Sequence, residues 1–231
     1  MHLFYCPDIS GTLYSLNEEE SKHCIRVLRL KNGDTIHITD GRGNMHECRI
    51  TDDHPKRCSV EVMSTSFTPA RSSFRLHIAI APTKNMERLE WFLEKVTEIG
   101  IDEITPLFCA HSERNTLKLP RLEKVMISAM KQSLKSWLPL LNAPMEFDEF
   151  IARPRKCQQF IAWCETDTGQ QLQNLLIPGS DRLILIGPEG DFSATEVQTA
   201  IRNGFVPVSL GNNRLRTETA GVVACVISQI I

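Results

Sequence analysis

The chain has 231 residues, with 26 Lys and Arg against 28 Asp and Glu, a formal charge of −2 and a hydrophobic share of 42%. This length and balance suit one large domain or two smaller ones with a real core, and exclude a disordered chain. Near-neutrality excludes a basic field over the whole molecule, so contact with nucleic acid has to come from local patches.

Taken in chain order, Asn17 followed by Glu20 is a capping-box signature and opens a short helix through Leu30 that ends at Gly33. Alternating segments follow at Thr35–Asp40, Met45–Ile50 and Cys58–Met63, separated by GRGN and DDHPK turns. Short strands with tight turns predict a small β-barrel carrying one helix. Ser64–Ser73, STSFTPARSS, reads as a linker.

Beyond it, strands and helices alternate. Phe74–Ala81 is an apolar strand, and Asn85–Gly100 an amphipathic helix with Leu89, Phe92, Leu93, Val96 and Ile99 on one face. Glu103–Phe108 is a strand, and Pro120 opens a helix carrying Leu122, Val125, Met126, Ala129 and Met130. Gln158–Cys164 and Arg182–Ile186 are strands with a helix near Gly169–Leu176 between them. Ser193 and Glu196 cap a helix that stops at Gly204, Phe205–Leu210 is a last strand and Thr219–Ile231 a last helix. The alternation predicts a mostly parallel sheet covered on both faces.

Ligands of open α/β sheets bind beyond the carboxyl ends of the strands. Two segments stand there. Ile186–Ser193, IGPEGDFS, joins an apolar strand to a capped helix through two glycines. Leu210–Gly221, LGNNRLRTETAG, places two arginines, a carboxylate and two hydroxyls before the last helix. Either alone reads as an ordinary glycine turn; the pair on one predicted edge raises the functional reading. Dinucleotide, P-loop, nucleophile-elbow and metal-ligand motifs are all absent. The eight cysteines form no CxxC pair, and MHLFYCPDIS lacks the order of a signal peptide. With no stretch of about 18 apolar residues either, the expectation is a cytoplasmic protein with reduced thiols, no metal and no membrane span.

Cations cluster twice. Lys22, Arg26, Arg29 and Lys31 form a run without an acid, and Arg114, Lys118, Arg121, Lys124, Lys131 and Lys135 face only Glu123. Such a run is either a solvated helix face or a set of phosphate contacts.

These motifs together resemble the bacterial small-subunit (16S) ribosomal RNA methyltransferases that act on uridine N3, the ribosomal RNA small subunit methyltransferase E family of the SPOUT superfamily. The resemblance lies in HCIRVLRLKNGD, KNMERLEWFLEKVTEIGIDEITPL, ERN, MKQSLKSWLP, LIGPEGDFS and SLGNNRLRTETA. It implies a PUA-like RNA-binding barrel over residues 1–70 and a SPOUT α/β domain over 71–231 with a trefoil knot. It also implies a homodimer and S-adenosylmethionine as cofactor. Leu185, Gly187, Glu189 and Gly190 then fall in the first cofactor loop, and Leu210, Gly211, Leu215, Arg216, Thr217 and Ala220 in the second. Lys22, Arg26, Arg29, Arg114, Lys118, Arg121, Lys131 and Lys135 become the expected RNA contacts, on 16S rRNA within the 30S subunit.

Asp191 stands where the family more often has a second glycine, Met130-Lys131 where small and acidic residues are usual, and Lys135 where arginine is usual. The implied chemistry gives Arg216 the developing uracil anion, with Glu218 or Glu189 orienting ligands or accepting the proton. Glu218 equally fits a plain helix-start carboxylate. The alternative functions are a SPOUT ribose 2′-O or tRNA methyltransferase, and an inactive RNA-binding assembly factor.

Overall fold

Apolar residues at every second position build the N-terminal sheet: Ile36, Ile38, Cys48, Ile50 and Val60 all point into one core with Phe4, Leu16, Cys24 and Cys58. The structure is a computed structural model that describes residues 1–69, 73–164 and 170–231. Two units are present: Met1–Arg71 with Met130–Leu138, and Ser72–Ala129 with Pro139–Ile231.

In the first unit, β1 (Leu3–Tyr5), β2 (Leu13–Ser15), α1 (Glu18–Lys22), β3 (Thr35–Thr39), β4 (Asn44–Asp52) and β5 (Ser59–Phe67) give a sheet ordered β1-β3-β4-β5-β2. The β1–β3 pair is parallel and the rest antiparallel, with irregular register in β4 at Glu47/Cys48 and Ile50/Asp52. Such irregularities bend and twist a sheet, and this one curls around its core. β5 continues through four residues of the expected linker, and positions 70–72 of that segment lie outside the described residues.

The first helix departs from expectation. Asn17 caps it, its side chain accepting from Glu20 N at 2.8 Å, but the Glu20 carboxylate does not return to Asn17. It takes Lys131 instead, at 2.7 and 2.9 Å. After Lys22 the chain makes one π-helical turn, His23–Val27, and Arg29 at φ +58° ends it. Gly33, at φ +92°, belongs to a separate turn whose N–H reaches Ile50 O at 2.8 Å. A carboxylate with a cation in reach ion-pairs rather than closing a capping box, which is why the expected reciprocal cap is only half made.

The 130–138 segment is tied into this unit through its backbone. Ser136 O accepts from Thr39 Oγ1 at 3.1 Å and from Gly43 N at 2.9 Å. Trp137 Nε1 donates to Thr68 O at 2.9 Å, and Leu138 N to Gly41 O at 2.9 Å. Gly43 is required twice over: its φ is +98°, and a Cβ there would lie 2.6 Å from Trp137 Cζ2.

The second unit holds β6 (Leu76–Ile80), α2 (Met86–Ile99), β7 (Glu103–Phe108), α3 (Leu119–Gln132), β8 (Leu140–Leu141), β9 (Met145–Glu146), α4 (Phe147–Ile151), β10 (Gln158–Ala162), α5 (Leu172–Leu175), β11 (Arg182–Ile186), α6 (Ala194–Arg202), β12 (Val206–Val208) and α7 (Thr217–Ile230). The sheet order is β12-β10-β11-β6-β7-β8, with β9 also on β7, and every pair is parallel. All five residues of β11 are buried, as a strand covered on both faces requires. The predicted helix near 169–176 is the single turn α5, and residues 165–169 before it lie outside the described residues. β1, β2, β8, β9 and α4 were not anticipated.

From the edge strand β12 the chain returns inward, and α7 packs on β6, β11 and α2. A return of this kind is what a trefoil knot uses. Gly221 makes the α7–α2 approach possible, since a Cβ there would lie 2.5 Å from Phe92 Cε2.

Candidate active site

Parallel register fixes where the two glycine-containing loops begin. Ala162 of β10 pairs with Ile186 of β11 on one side and with Val208 of β12 on the other. The loops after β11 and β12 therefore leave the sheet at the same level, on either side of one strand. They are also bonded together: Thr217 Oγ1, at the start of α7, donates to Gly187 O at 3.0 Å.

The first loop is tightly determined. A Cβ on Gly187 would meet the Phe192 ring at 3.0 Å, and one on Gly190 would meet His111 Cβ at 3.2 Å. His111 Nδ1 lies 3.2 Å from Gly190 O and 2.9 Å from Asp191 O, which makes that nitrogen the donor. Asp191 itself takes φ +62°, the left-handed conformation that explains a glycine preference there. Its carboxylate offsets the strain by accepting from Phe192 N at 2.8 Å and Cys164 N at 3.1 Å. Glu189 accepts from Lys84 N at 3.0 Å, and Arg114 Nη2 donates to Lys84 O at 2.8 Å, so the loop after β6 is braced from two sides.

The second loop is more open. Gly211 takes φ +129°, and Ser209 Oγ donates to its carbonyl at 2.8 Å. Leu210, Leu215 and Ala220 are half-buried, Thr217 and Glu218 buried, and Arg216 exposed. The Arg216 guanidinium makes no hydrogen bond among the described residues, although its carbonyl accepts from Ala220 N at 2.7 Å. Glu218 is 6% exposed; its Oε1 lies 3.8 Å from Arg88 Nε, and its Oε2 has no hydrogen-bond partner. Leu185 is fully buried in the core, mid-strand between Ile161 of β10 and Ala79 of β6, so the structure does not place it at the loop surface.

The expected RNA contacts sort by partner. Arg26, Arg29 and Lys118 are exposed, and Lys135 is half-buried. Lys22 pairs with Glu18 at 2.7 Å, and Arg121 with Glu90 at 2.5 Å. Arg114 is engaged on Lys84 O. Lys131 is the most committed, held by Glu20 and lying 5.7 Å from the Phe4 ring centroid.

Sequence reasoning missed His111, Lys84 and Arg88, which reach the site from the loops after β7 and β6 and from α2. Lys84 and His111 stand just past predicted strands, and Arg88 in the first turn of the predicted helix over Asn85–Gly100. Among the described residues no cluster of His, Cys, Asp and Glu could hold a metal, and no helix is long and apolar enough to cross a membrane.

Known proteins share this fold. A probable rRNA methyltransferase from Porphyromonas gingivalis is 45% identical, covering 97% of this chain and 95% of its own, with a TM-score of 0.91. A ribosomal RNA small subunit methyltransferase E from Neisseria gonorrhoeae, bound to S-adenosyl methionine, is 26% identical over 100% of this chain and 97% of its own, with a TM-score of 0.89. The methyltransferase of that name from Buchnera aphidicola is 28% identical, covering 91% of this chain and 85% of its own. An RNA methyltransferase PUA domain matches residues 16–63 and the RNA methyltransferase domain residues 70–229, and the chain belongs to that RNA methyltransferase family.

Proposed function

We propose that this protein methylates N3 of a specific uridine in small-subunit rRNA, on the assembled 30S subunit, with S-adenosylmethionine as methyl donor. The observation that carries this reading is the paired loops. They leave neighbouring strands at one level, are tied by Thr217 to Gly187, and set exposed Arg216 two residues from buried Glu218. The fit to the cofactor rests on backbone: Gly187, Gly190 and Gly211 carry no side chain, and the half-buried Leu210, Leu215 and Ala220 offer amides and carbonyls beside apolar surface. Such a mixture suits adenine, ribose and an amino-acid tail.

The cofactor supplies an electrophilic methyl group on a sulfonium. Uracil N3 lies on the base-pairing edge, so the base has to be unpaired and turned out to react. Arg216 holds the negative charge that develops on the uracil ring as N3 gives up its proton. Glu218 Oε2, buried and unpartnered, takes that proton. Glu189 keeps the first loop in place through Lys84 N. Arg26, Arg29 and Lys118 supply phosphate contacts. A second copy of the chain covers the apolar end of α7, where Val226, Ile230 and Ile231 are exposed.

The test is incubation with labelled S-adenosylmethionine and undermethylated 30S subunits, naked rRNA or tRNA, followed by mass spectrometry of the nucleosides. The expected product is 3-methyluridine, formed on 30S subunits; label in any other nucleoside overturns the proposal.

A further inference from the structure

The second unit has a cavity of about 740 Å³ at the opposite end of its sheet from the two loops, where β6, β7 and β11 begin. It contains a chain of polar side chains. Asn142 Nδ2 donates to Glu103 Oε1 at 2.7 Å and to Thr105 Oγ1 at 2.8 Å. With that lone pair occupied, the Thr105 hydroxyl hydrogen is free for His77 Nε2, 2.8 Å away. Burial lowers the His77 pKa to about 4, so the imidazole is neutral and adds no positive charge.

The charge sits on the rim. Arg75, Arg153, Arg155, Lys156 and the buried Arg182 line the cavity with the acids Glu103, Glu149 and Asp181. Two of these cations have acids of their own: Arg75 lies 3.5 Å from Glu103, and Arg153 2.8 Å from Glu149. Arg182 is held by carbonyls, those of Ser180, Ser228 and Ile177.

Arg155 is different. It is half-buried, its guanidinium lies 4.0 Å over the Phe150 ring, and its one hydrogen bond is to Arg153 O at 2.9 Å. No carboxylate lies within ion-pair distance of Arg155 or Lys156 among the described residues. Pro154 restricts the backbone between the two arginines, so Arg153-Pro154-Arg155-Lys156 presents a pre-set cationic corner. A partly desolvated guanidinium with no carboxylate in ion-pair distance carries a cost, and an anion that enters beside it offsets that cost.

We propose that this cavity is a second ligand site, taking a phosphate group between Arg155 and Lys156. Five lining cations against three acids leave a surplus of two, which matches a phosphate dianion. The guanidinium fork suits bidentate phosphate binding, and its stacking on Phe150 holds that fork flat. The phosphate comes either from a free nucleotide or from an RNA backbone. The inference is independent of the methylation chemistry, because no residue of the two loops takes part.

The experiment titrates inorganic phosphate, adenosine 5′-monophosphate and a short single-stranded RNA into the full-length protein. Binding is followed by calorimetry and by the NMR signals of the His77 ring and the Asn142 side chain. Arg155→Gln and Lys156→Gln are compared with wild type, and Arg202→Gln on α6 serves as control. Phosphate is expected to move the His77 and Asn142 signals, and Arg155→Gln to weaken binding by about tenfold or more, with Arg202→Gln neutral. Arg155→Lys keeps the charge and loses the fork, so it should fall between wild type and Arg155→Gln and separates lost binding from lost folding. Tightest binding by the monophosphate identifies a nucleotide site, and tightest binding by the oligonucleotide an RNA contact. Signals that do not move, or that move equally in Arg155→Gln, overturn the proposal.

Discussion

Replacing Asp191 sets two opposed effects against each other. Its φ of +62° favours glycine, whereas its carboxylate holds Phe192 N at 2.8 Å and Cys164 N at 3.1 Å. Phe192 is buried, so its abandoned amide finds no water, and that loss costs about 1–3 kcal/mol. Cys164 is exposed and its amide can hydrate, so the second bond adds about 0.5 kcal/mol. Asp191→Ala loses both bonds and keeps the strain, for a total of about 1.5–3.5 kcal/mol. Asp191→Gly loses the same bonds but regains about 1 kcal/mol from the left-handed backbone. Asp191→Asn keeps one acceptor and a residue that tolerates this conformation. The expected order of stability is Asp, Asn, Gly, Ala, read by urea unfolding. S-Adenosylmethionine affinity, measured by calorimetry, should fall in the same order. A glycine variant as stable as wild type would refute the reasoning, because strain would then outweigh the carboxylate's bonds.

Other expectations follow from the same structure. Gly221→Ala pushes a Cβ against Phe92 and should cost about 1–3 kcal/mol by overpacking, seen as a lower Tm, with Phe92→Leu partly restoring it. Arg88→Ala removes the cation 3.8 Å from Glu218 Oε1 and should slow methyl transfer about tenfold while leaving cofactor affinity within about twofold; equal loss in both would assign Arg88 to binding. Burial depresses the His77 pKa to about 4, so below its ordinary value near 6.5 the unfolded chain takes up a proton that the folded one refuses. Stability from this group is therefore complete above pH 6.5 and should fall by about 2–3 kcal/mol as the pH drops toward 4. His77→Gln should flatten that slope in urea titrations at several pH values.

The elements that were legible in the sequence are those that bury themselves on a single period. β7 and β11 run as read, and α2 differs only in that Asn85 and Gly100 prove to be its caps, because apolar spacing and capping residues agree there. β1, β2, β8, β9 and α4 span two to five residues each, and strands this short exist only through their partners. The site divides in the same way. Glycines and clustered polar residues announced both loops, but His111, Arg88 and Lys84 act through contacts with distant stretches of chain. Lys131 shows the limit most clearly: the sequence offers a cation, and its partner Glu20 is 111 residues away.

That last contact bears on how the first unit can be made. The Thr39 hydroxyl hydrogen, Gly41 O, Gly43 N, the Glu20 carboxylate and Thr68 O all find partners in residues 131–138, which emerge from the ribosome long after β5. Closing this unit means waiting for more than half of the chain and then joining ends separated by a long loop, at an entropic cost that grows slowly with loop length. A fragment cut at residue 71 should therefore be incomplete, with Glu20 uncompensated and Gly43 facing an empty slot. A synthetic peptide spanning 130–138, supplied in trans, should restore its folding.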